Sequence, residues 1–187
     1  MVVSLRKGKR ILAVITVIAL LSAGGYFGLN AVKRYFYPKD YSDYVEQYCA
    51  EYSIDSNLAY AVIHTESGFD SNAESYLGAC GLMQIMPDTF EWLKSKDKGK
   101  SDCNGDIFDP ETNIRYGVYF LSMLMEEFGD ERLTIAAYHA GMWRVSQWLK
   151  DSGISPDGKT LKSIPYSDTE HYIKKVERAK KVYEALY

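Results

Sequence analysis

Clustered metal ligands are missing from this chain. The three histidines, His64, His139 and His171, are dispersed, and no Cys-x-x-Cys pair occurs. A zinc site gathers three or four nitrogen or sulfur ligands, and neither pattern supplies them. Asp102, Asn104 and Asp106 alternate as in a calcium loop, but the glycine stands in the wrong place. No metal and no cofactor is expected. Cysteine is scarce as well: Cys49, Cys80 and Cys103 can close at most one internal disulfide. Cys80 with Cys103 is the pairing considered, beside the equally open reading of three small buried thiols. Positive charge is short where nucleic acid would need it. From Tyr41 to Tyr187 there are 24 Asp and Glu against 15 Lys and Arg, although the whole chain carries only −3. Such a domain is repelled by phosphate backbones, so a nucleic-acid partner is excluded. No alternating strand pattern and no internal repeat is visible.

One long apolar run is present, at the front. Arg6, Lys7, Lys9 and Arg10 precede an uncharged stretch from Ile11 to Leu29. As a helix it would measure about 28 Å, near the hydrocarbon thickness of a bilayer. A cleaved secretory signal has the same order of features. The length of the run and the poor cleavage site at Ser22-Ala23-Gly24-Gly25 favour a retained anchor. Four basic residues before the span, against Lys33, Arg34 and Lys39 after it, favour a cytoplasmic N-terminus. The expected organisation is a basic cytoplasmic segment over 1–10, a transmembrane anchor over 11–29, a connector over 30–40 and a globular domain over 41–187.

Helical periodicity fills that domain. Tyr44, Val45, Tyr48, Cys49 and Tyr52 recur at spacings of three and four. Ser56 is placed to cap a second helix through Ile63, ending near Gly68. A loop of small and polar residues follows from Asp70 to Cys80. Pro87 suits the first turn of the next helix, and Asp109-Pro110 opens a long one through Leu124. Leu133–Ala140, Trp143–Leu149 and Ser167–Tyr187 complete the set. The fold class is mainly α.

Glu66 stands out among the acids. It follows Ile63 by three residues and Val62 by four, so it shares a helix face with apolar side chains. It also sits in the last helical turn, where the helix dipole disfavours a negative charge. Burial and dipole both favour the protonated acid near neutral pH, as protonation of a glycosidic oxygen requires.

Five segments in a fixed order resemble one family. Ala61-Val62-Ile63-His64-Thr65-Glu66-Ser67-Gly68-Phe69 resembles the glutamate–serine motif of soluble-lytic-transglycosylase-type (SLT) domains. Gly78-Ala79-Cys80-Gly81-Leu82-Met83-Gln84-Ile85-Met86-Pro87 resembles the second motif. Phe108-Asp109-Pro110 with Asn113-Ile114-Arg115-Tyr116-Gly117 resembles the third, and Ala136-Ala137-Tyr138-His139-Ala140-Gly141 the fourth. Ile164-Pro165-Tyr166 through Tyr172 and Val176 resembles the last. The resemblance implies a goose-lysozyme-like helical fold and a peptidoglycan lytic transglycosylase. In such enzymes a single carboxyl, here Glu66, protonates the β-1,4 bond between N-acetylmuramic acid and N-acetylglucosamine. It then takes the proton of the muramic 6-hydroxyl, which closes a 1,6-anhydro ring. Implied substrate contacts are Ser67, Met83, Gln84, Tyr138, His139, Ala140 and Tyr172.

That chemistry dispenses with the second carboxylate of ordinary glycosidases. Asp70 and Glu74 are the nearest acids in sequence, and neither holds a motif position. Two positions depart from the family pattern. His139 replaces the usual asparagine and adds a group that titrates near neutrality. Glu170, after Thr169, stands where arginine is frequent, removing a contact to an acidic substrate group. Other readings are a hydrolytic muramidase using the same glutamate, a non-catalytic tethered glycan-binding module, and a cysteine peptidase built on Cys80 and His139. A peptidoglycan substrate would place the domain outside the cytoplasmic membrane, held there by a single span.

Overall fold

A computed structural model describes residues 2–97 and 105–187, with side chains from Ile15 onward. Cys103, and with it the Cys80–Cys103 pairing, lies outside the described residues, as do Asp102 and Asn104 of the calcium-like run. Two compact units divide the chain, Met1–Pro38 and, apart from Leu186, the remainder from Lys39.

The first unit is one helix, α1 (Val2–Phe36). The part from Ile15 to Phe36 is long and apolar enough to cross a membrane, with a mean hydropathy of 1.6. Ile15, Ile18, Leu20, Leu21 and Phe27 are all exposed. A helix apolar on every side needs either a protein core or lipid around it. The helix continues into the expected connector, 30–40, as far as Phe36. A helix rises 1.5 Å per residue where an extended chain gains about 3.5 Å, so its reach is far shorter.

The second unit contains α2 (Ser42–Tyr52), α3 (Ser56–Glu66), α4 (Pro87–Lys96), α5 (Pro110–Phe128), α6 (Glu131–Ala140), α7 (Met142–Lys150) and α8 (Ser167–Leu186). No strand occurs among the described residues, so the mainly α expectation stands. Helix boundaries follow local chemistry. Asp109 caps α5 by accepting from the Thr112 N–H at 2.9 Å, and Pro110 takes the first helical position. Asp55, rather than the expected Ser56, caps α3, accepting from Asn57 N–H. A carboxylate on that residue satisfies an orphan donor and suits the positive helix end. Gly141, at φ 92°, separates α6 from α7.

α5 is the hub, with α2, α4 and α6 packed around it. Ile114, Val118, Leu121 and Leu124 are fully buried along its length. α8 is held against α3 by the stacked rings of Tyr60 and Tyr183, 5.4 Å apart. Lys180 on α8 pairs with Asp55 at 3.0 Å and Glu131 at 2.7 Å. Partial burial works against the Lys180 ammonium, but these two carboxylates prevail and push it up to about 12. The cap of α3 and the first turn of α6 are thereby tied to α8. Glu66, Tyr138 and Tyr172 are carried by those same three helices.

Candidate active site

Glu66 closes α3, and the chain turns sharply after it through Gly68 and Phe69, both at positive φ. Its carboxyl is largely withdrawn from water, and this burial pushes it up to about 7. The Tyr172 hydroxyl, donating to Glu66 Oε1 at 2.6 Å, opposes the shift by favouring the charged form. Burial prevails. No neighbouring carboxylate is among the causes, which fits a solitary acid. Asp70 is exposed and turned to the backbone N–H of Asn72 at 2.9 Å.

Two tyrosines define the carboxyl's surroundings. Tyr172, 8% exposed, comes from α8. Tyr138, from α6, donates to the Met83 carbonyl at 2.8 Å and stacks at a tilt on Phe120, 5.3 Å away. Burial, with the added charge of Glu66, raises both phenols well above their ordinary range, so they stay protonated donors. The His139 ring lies 4.5 Å from that of Tyr172 and bonds the Thr169 hydroxyl through Nδ1 at 3.2 Å. Burial of that ring lowers its pKa, with Asp168 opposing, so the neutral imidazole dominates at pH 7. Replacing Tyr172 by Phe removes a hydrogen bond to a charged group, typically about 1.5 kcal/mol or more. We expect about a tenfold loss of kcat and an alkaline activity limb moved upward, both read from a pH–rate profile.

The loop from Ser67 to Met86 forms the opposite wall, and its shape is set from beneath. Asn113 on α5 is wholly buried and makes three bonds to it and its neighbour. Its carbonyl accepts from Met83 N–H at 2.7 Å; its amide donates to the carbonyls of Cys80 at 3.0 Å and Ile107 at 2.7 Å. Gly81, at φ 74°, lies so close that a Cβ would strike the Asn113 amide. A Cβ on Gly117 would likewise strike the Met83 sulfur. These contacts explain why the motifs carry Gly81, Asn113 and Gly117. Asn113 received no role from the sequence; an amide in the apolar face of a predicted helix was the available signal.

The expected contact residues fare unequally. Tyr138, His139, Ala140 and Tyr172 converge on the Glu66 side of the domain. Met83 is fully buried and meets the site through its backbone carbonyl, so its side chain is floor rather than glycan contact. Ser67 donates to the Leu82 carbonyl at 2.8 Å, fastening the end of α3 to the loop rather than holding the carboxyl itself. Gln84, at φ 48°, donates its amide to the carbonyls of Ala73 and Gly81, both at 2.9 Å. Its amide oxygen therefore keeps the capacity to accept. Glu170 is paired with Lys174 at 2.7 Å on the surface of α8.

Two recesses flank Tyr138 and His139 of α6. One, of about 310 Å³, is lined by His139, Ala140, Arg144, Tyr166, Asp168 and Thr169. The other, of about 50 Å³, is lined by Gln84, Ile85, Met86, Thr89, Phe120 and Tyr138. Consecutive residues of α6, Tyr138 and His139, contribute one to each. Among the described residues no cluster of three or more His, Cys, Asp or Glu could hold a metal ion.

Known proteins resemble this chain in sequence and in fold. The family model of the transglycosylase SLT domain matches residues 43–160. The soluble lytic murein transglycosylase of Escherichia coli (strain K12) is 36% identical over 154 residues, covering 81% of this chain and 23% of that protein. The membrane-bound lytic murein transglycosylase C of Haemophilus influenzae (strain PittGG) is 30% identical over 165 residues, covering 76% of this chain and 46% of that protein. The crystal structure of the 70-kDa soluble lytic transglycosylase of Escherichia coli superposes with a TM-score of 0.72 at 31% identity, covering 82% of this chain and 25% of the other. The chain thus spans less than half the length of these relatives. Glu66 at the end of α3, Tyr138 of α6 and the loop braced by Asn113 all lie within the matched residues, and the chain belongs to the transglycosylase SLT domain family.

Proposed function

We propose that this chain is a peptidoglycan lytic transglycosylase with Glu66 as its one acid–base group. The observation that carries the reading is a solitary buried carboxyl, pushed up to about 7 and held by the Tyr172 hydroxyl at 2.6 Å. Tyr172 occupies Oε1, so the acid proton resides on Oε2 and is available to a ligand. Oε2 gives that proton to the glycosidic oxygen, the bond to the muramic anomeric carbon breaks, and the N-acetylglucosamine 4-hydroxyl leaves. The carboxylate so formed takes the proton of the muramic 6-hydroxyl, whose oxygen joins the anomeric carbon. Glu66 ends the cycle protonated, with no water consumed. One group passing a proton out and back is ordinary acid–base catalysis. Gln84 through its amide oxygen, Tyr138, His139, Ala140 and Tyr172 would line the strand.

The tether belongs to the same proposal. The apolar part of α1 would cross the cytoplasmic membrane once, with the basic segment 1–10 inside and the domain outside, where peptidoglycan lies. Support comes from the 22-residue apolar stretch and from a relative described as membrane-bound. Mass spectrometry of wall digested by separated cell fractions tests both parts. Anhydro-ended fragments should form, and the activity should travel with membranes. Reducing ends one water heavier would mean hydrolysis, and activity in the soluble fraction would remove the tether.

A further inference from the structure

The outer face of α8 carries a row of cations that neither the core nor the proton transfers use. Tyr172, Ile173, Val176, Ala179 and Tyr183 form the buried face of this helix. Lys174, Lys175, Arg178 and Lys181, at intervening positions, are all exposed. Steps of three and four residues place them in one stripe, about 10 Å long at 1.5 Å per residue. The acids of the same helix that could neutralise it are engaged: Glu170 with Lys174 at 2.7 Å, Glu177 with Arg132 at 2.7 Å and Glu184 with Lys180 at 3.7 Å. Among the described residues no carboxylate lies within ion-pair distance of Lys175, Arg178 or Lys181. The row stands on a domain where Asp and Glu outnumber Lys and Arg by 24 to 15. Its positive charge is therefore local, and it faces solvent.

Location gives the row a partner. Lys39, the first residue of the domain, holds its ammonium over the Tyr187 ring, 5.0 Å from the centroid, and over that of Tyr60, at 4.6 Å. The chain thus enters the domain beside the C-terminal end of α8. Only Tyr37 and Pro38 separate Lys39 from Phe36, where the apolar stretch ends, and three residue steps reach at most about 11 Å. We propose that the face of α8 formed by Lys174, Lys175, Arg178 and Lys181 docks on the anionic phospholipid headgroups of the membrane that α1 crosses. The proposal rests on the tether reading above and adds to it a second, electrostatic contact. Each Lys or Arg near an anionic bilayer strengthens attachment about fivefold, within a screening length of about 10 Å at 0.1 M salt. A short tether keeps the local concentration of headgroups high, so weak individual attractions suffice. Docking uses the side of α8 turned away from the core, and Tyr172 keeps its bond to Glu66.

The test is amine acetylation of the full chain in lipid nanodiscs, with the extent at each lysine read by peptide mass spectrometry. Discs of phosphatidylglycerol are compared with discs of phosphatidylcholine. Labelling of Lys174, Lys175 and Lys181 should fall at least about fivefold in the anionic discs. Lys150 and Lys159, exposed elsewhere on the domain, should label equally in both. Protection should vanish in about 1 M salt, where charges are screened beyond about 3 Å. Arg178→Glu leaves the three reporter lysines in place and should return them to the labelling seen in phosphatidylcholine. Equal labelling in the two lipids would overturn the proposal, as would protection that survives Arg178→Glu. Protection that needs soluble polyglycerol phosphate, added to phosphatidylcholine discs, and is absent with phosphatidylglycerol would assign the row to a wall polymer and overturn the lipid contact. The two readings fail separately. A chain that stays out of the discs would remove the tether, and the same labelling beside vesicles of each lipid would then decide the docking.

Discussion

Glu66→Gln should abolish strand cleavage and at the same time make the protein more stable at neutral and alkaline pH. Loss of a general acid that also serves as base costs at least about a thousandfold in rate. The stability effect has the opposite sign and follows from the same burial. The carboxyl moves from 4.5 to about 7 on folding. Its folded form therefore binds a proton more tightly than its unfolded form. That favours folding fully below pH 4.5, and the benefit drains away as pH rises through 7. Above 7 the native state must carry a buried charge, at a cost of roughly 3 kcal/mol relative to acid conditions. Glutamine never ionises, and its carbonyl can still accept from Tyr172. Thermal unfolding in detergent should show no gain near pH 4 and a gain of about 2–3 kcal/mol at pH 8. A surface glutamate would show no such pH-dependent difference, and that outcome would refute the assignment of Glu66.

The second large effect concerns Asn113, which touches no substrate. Asn113→Asp preserves shape, so a side chain that merely filled space would tolerate it. We expect instead a loss of about 3 kcal/mol or more. The Met83 N–H keeps an acceptor, but a carboxylate oxygen would replace the amide that now faces the Cys80 and Ile107 carbonyls. Two buried acceptors would lose their donor and meet a like-signed oxygen. Denaturant unfolding measures the loss. Below the melting transition kcat should fall as well, because the Met83 carbonyl that receives the Tyr138 hydroxyl belongs to the displaced turn. Stability within about 0.5 kcal/mol of the unsubstituted chain would show that the buried amide carries no such load.

Much of this was legible in linear order. The apolar faces at spacings of three and four announced every helix from α2 to α8, and Asp109-Pro110 and Pro87 marked starts that the structure reproduces. Glu66 was legible because its neighbours at three and four residues were apolar and its helix ended there. Less visible was how side chains divide between surface and floor. Met83 and Gln84 are adjacent in one motif, yet Met83 lies under α5's Gly117 while Gln84 bonds back into its own loop at positive φ. A loop without a repeating period gives no rule for which side chain turns inward. α1 runs on past the apolar run as far as Phe36, because a helix tolerates Lys33 and Arg34 at its end.

The order of residues alone decided that the domain is helical, where its helices begin, and that Glu66 ends one of them among apolar neighbours, because these depend on contacts between residues a few positions apart. Only the tertiary structure decided that Tyr172, 106 residues away, would hold that carboxyl and that Asn113 would brace the loop that follows it. Those contacts join helices whose meeting depends on how the whole core closes, and burial, the main cause of Glu66's raised pKa, exists only once it has closed.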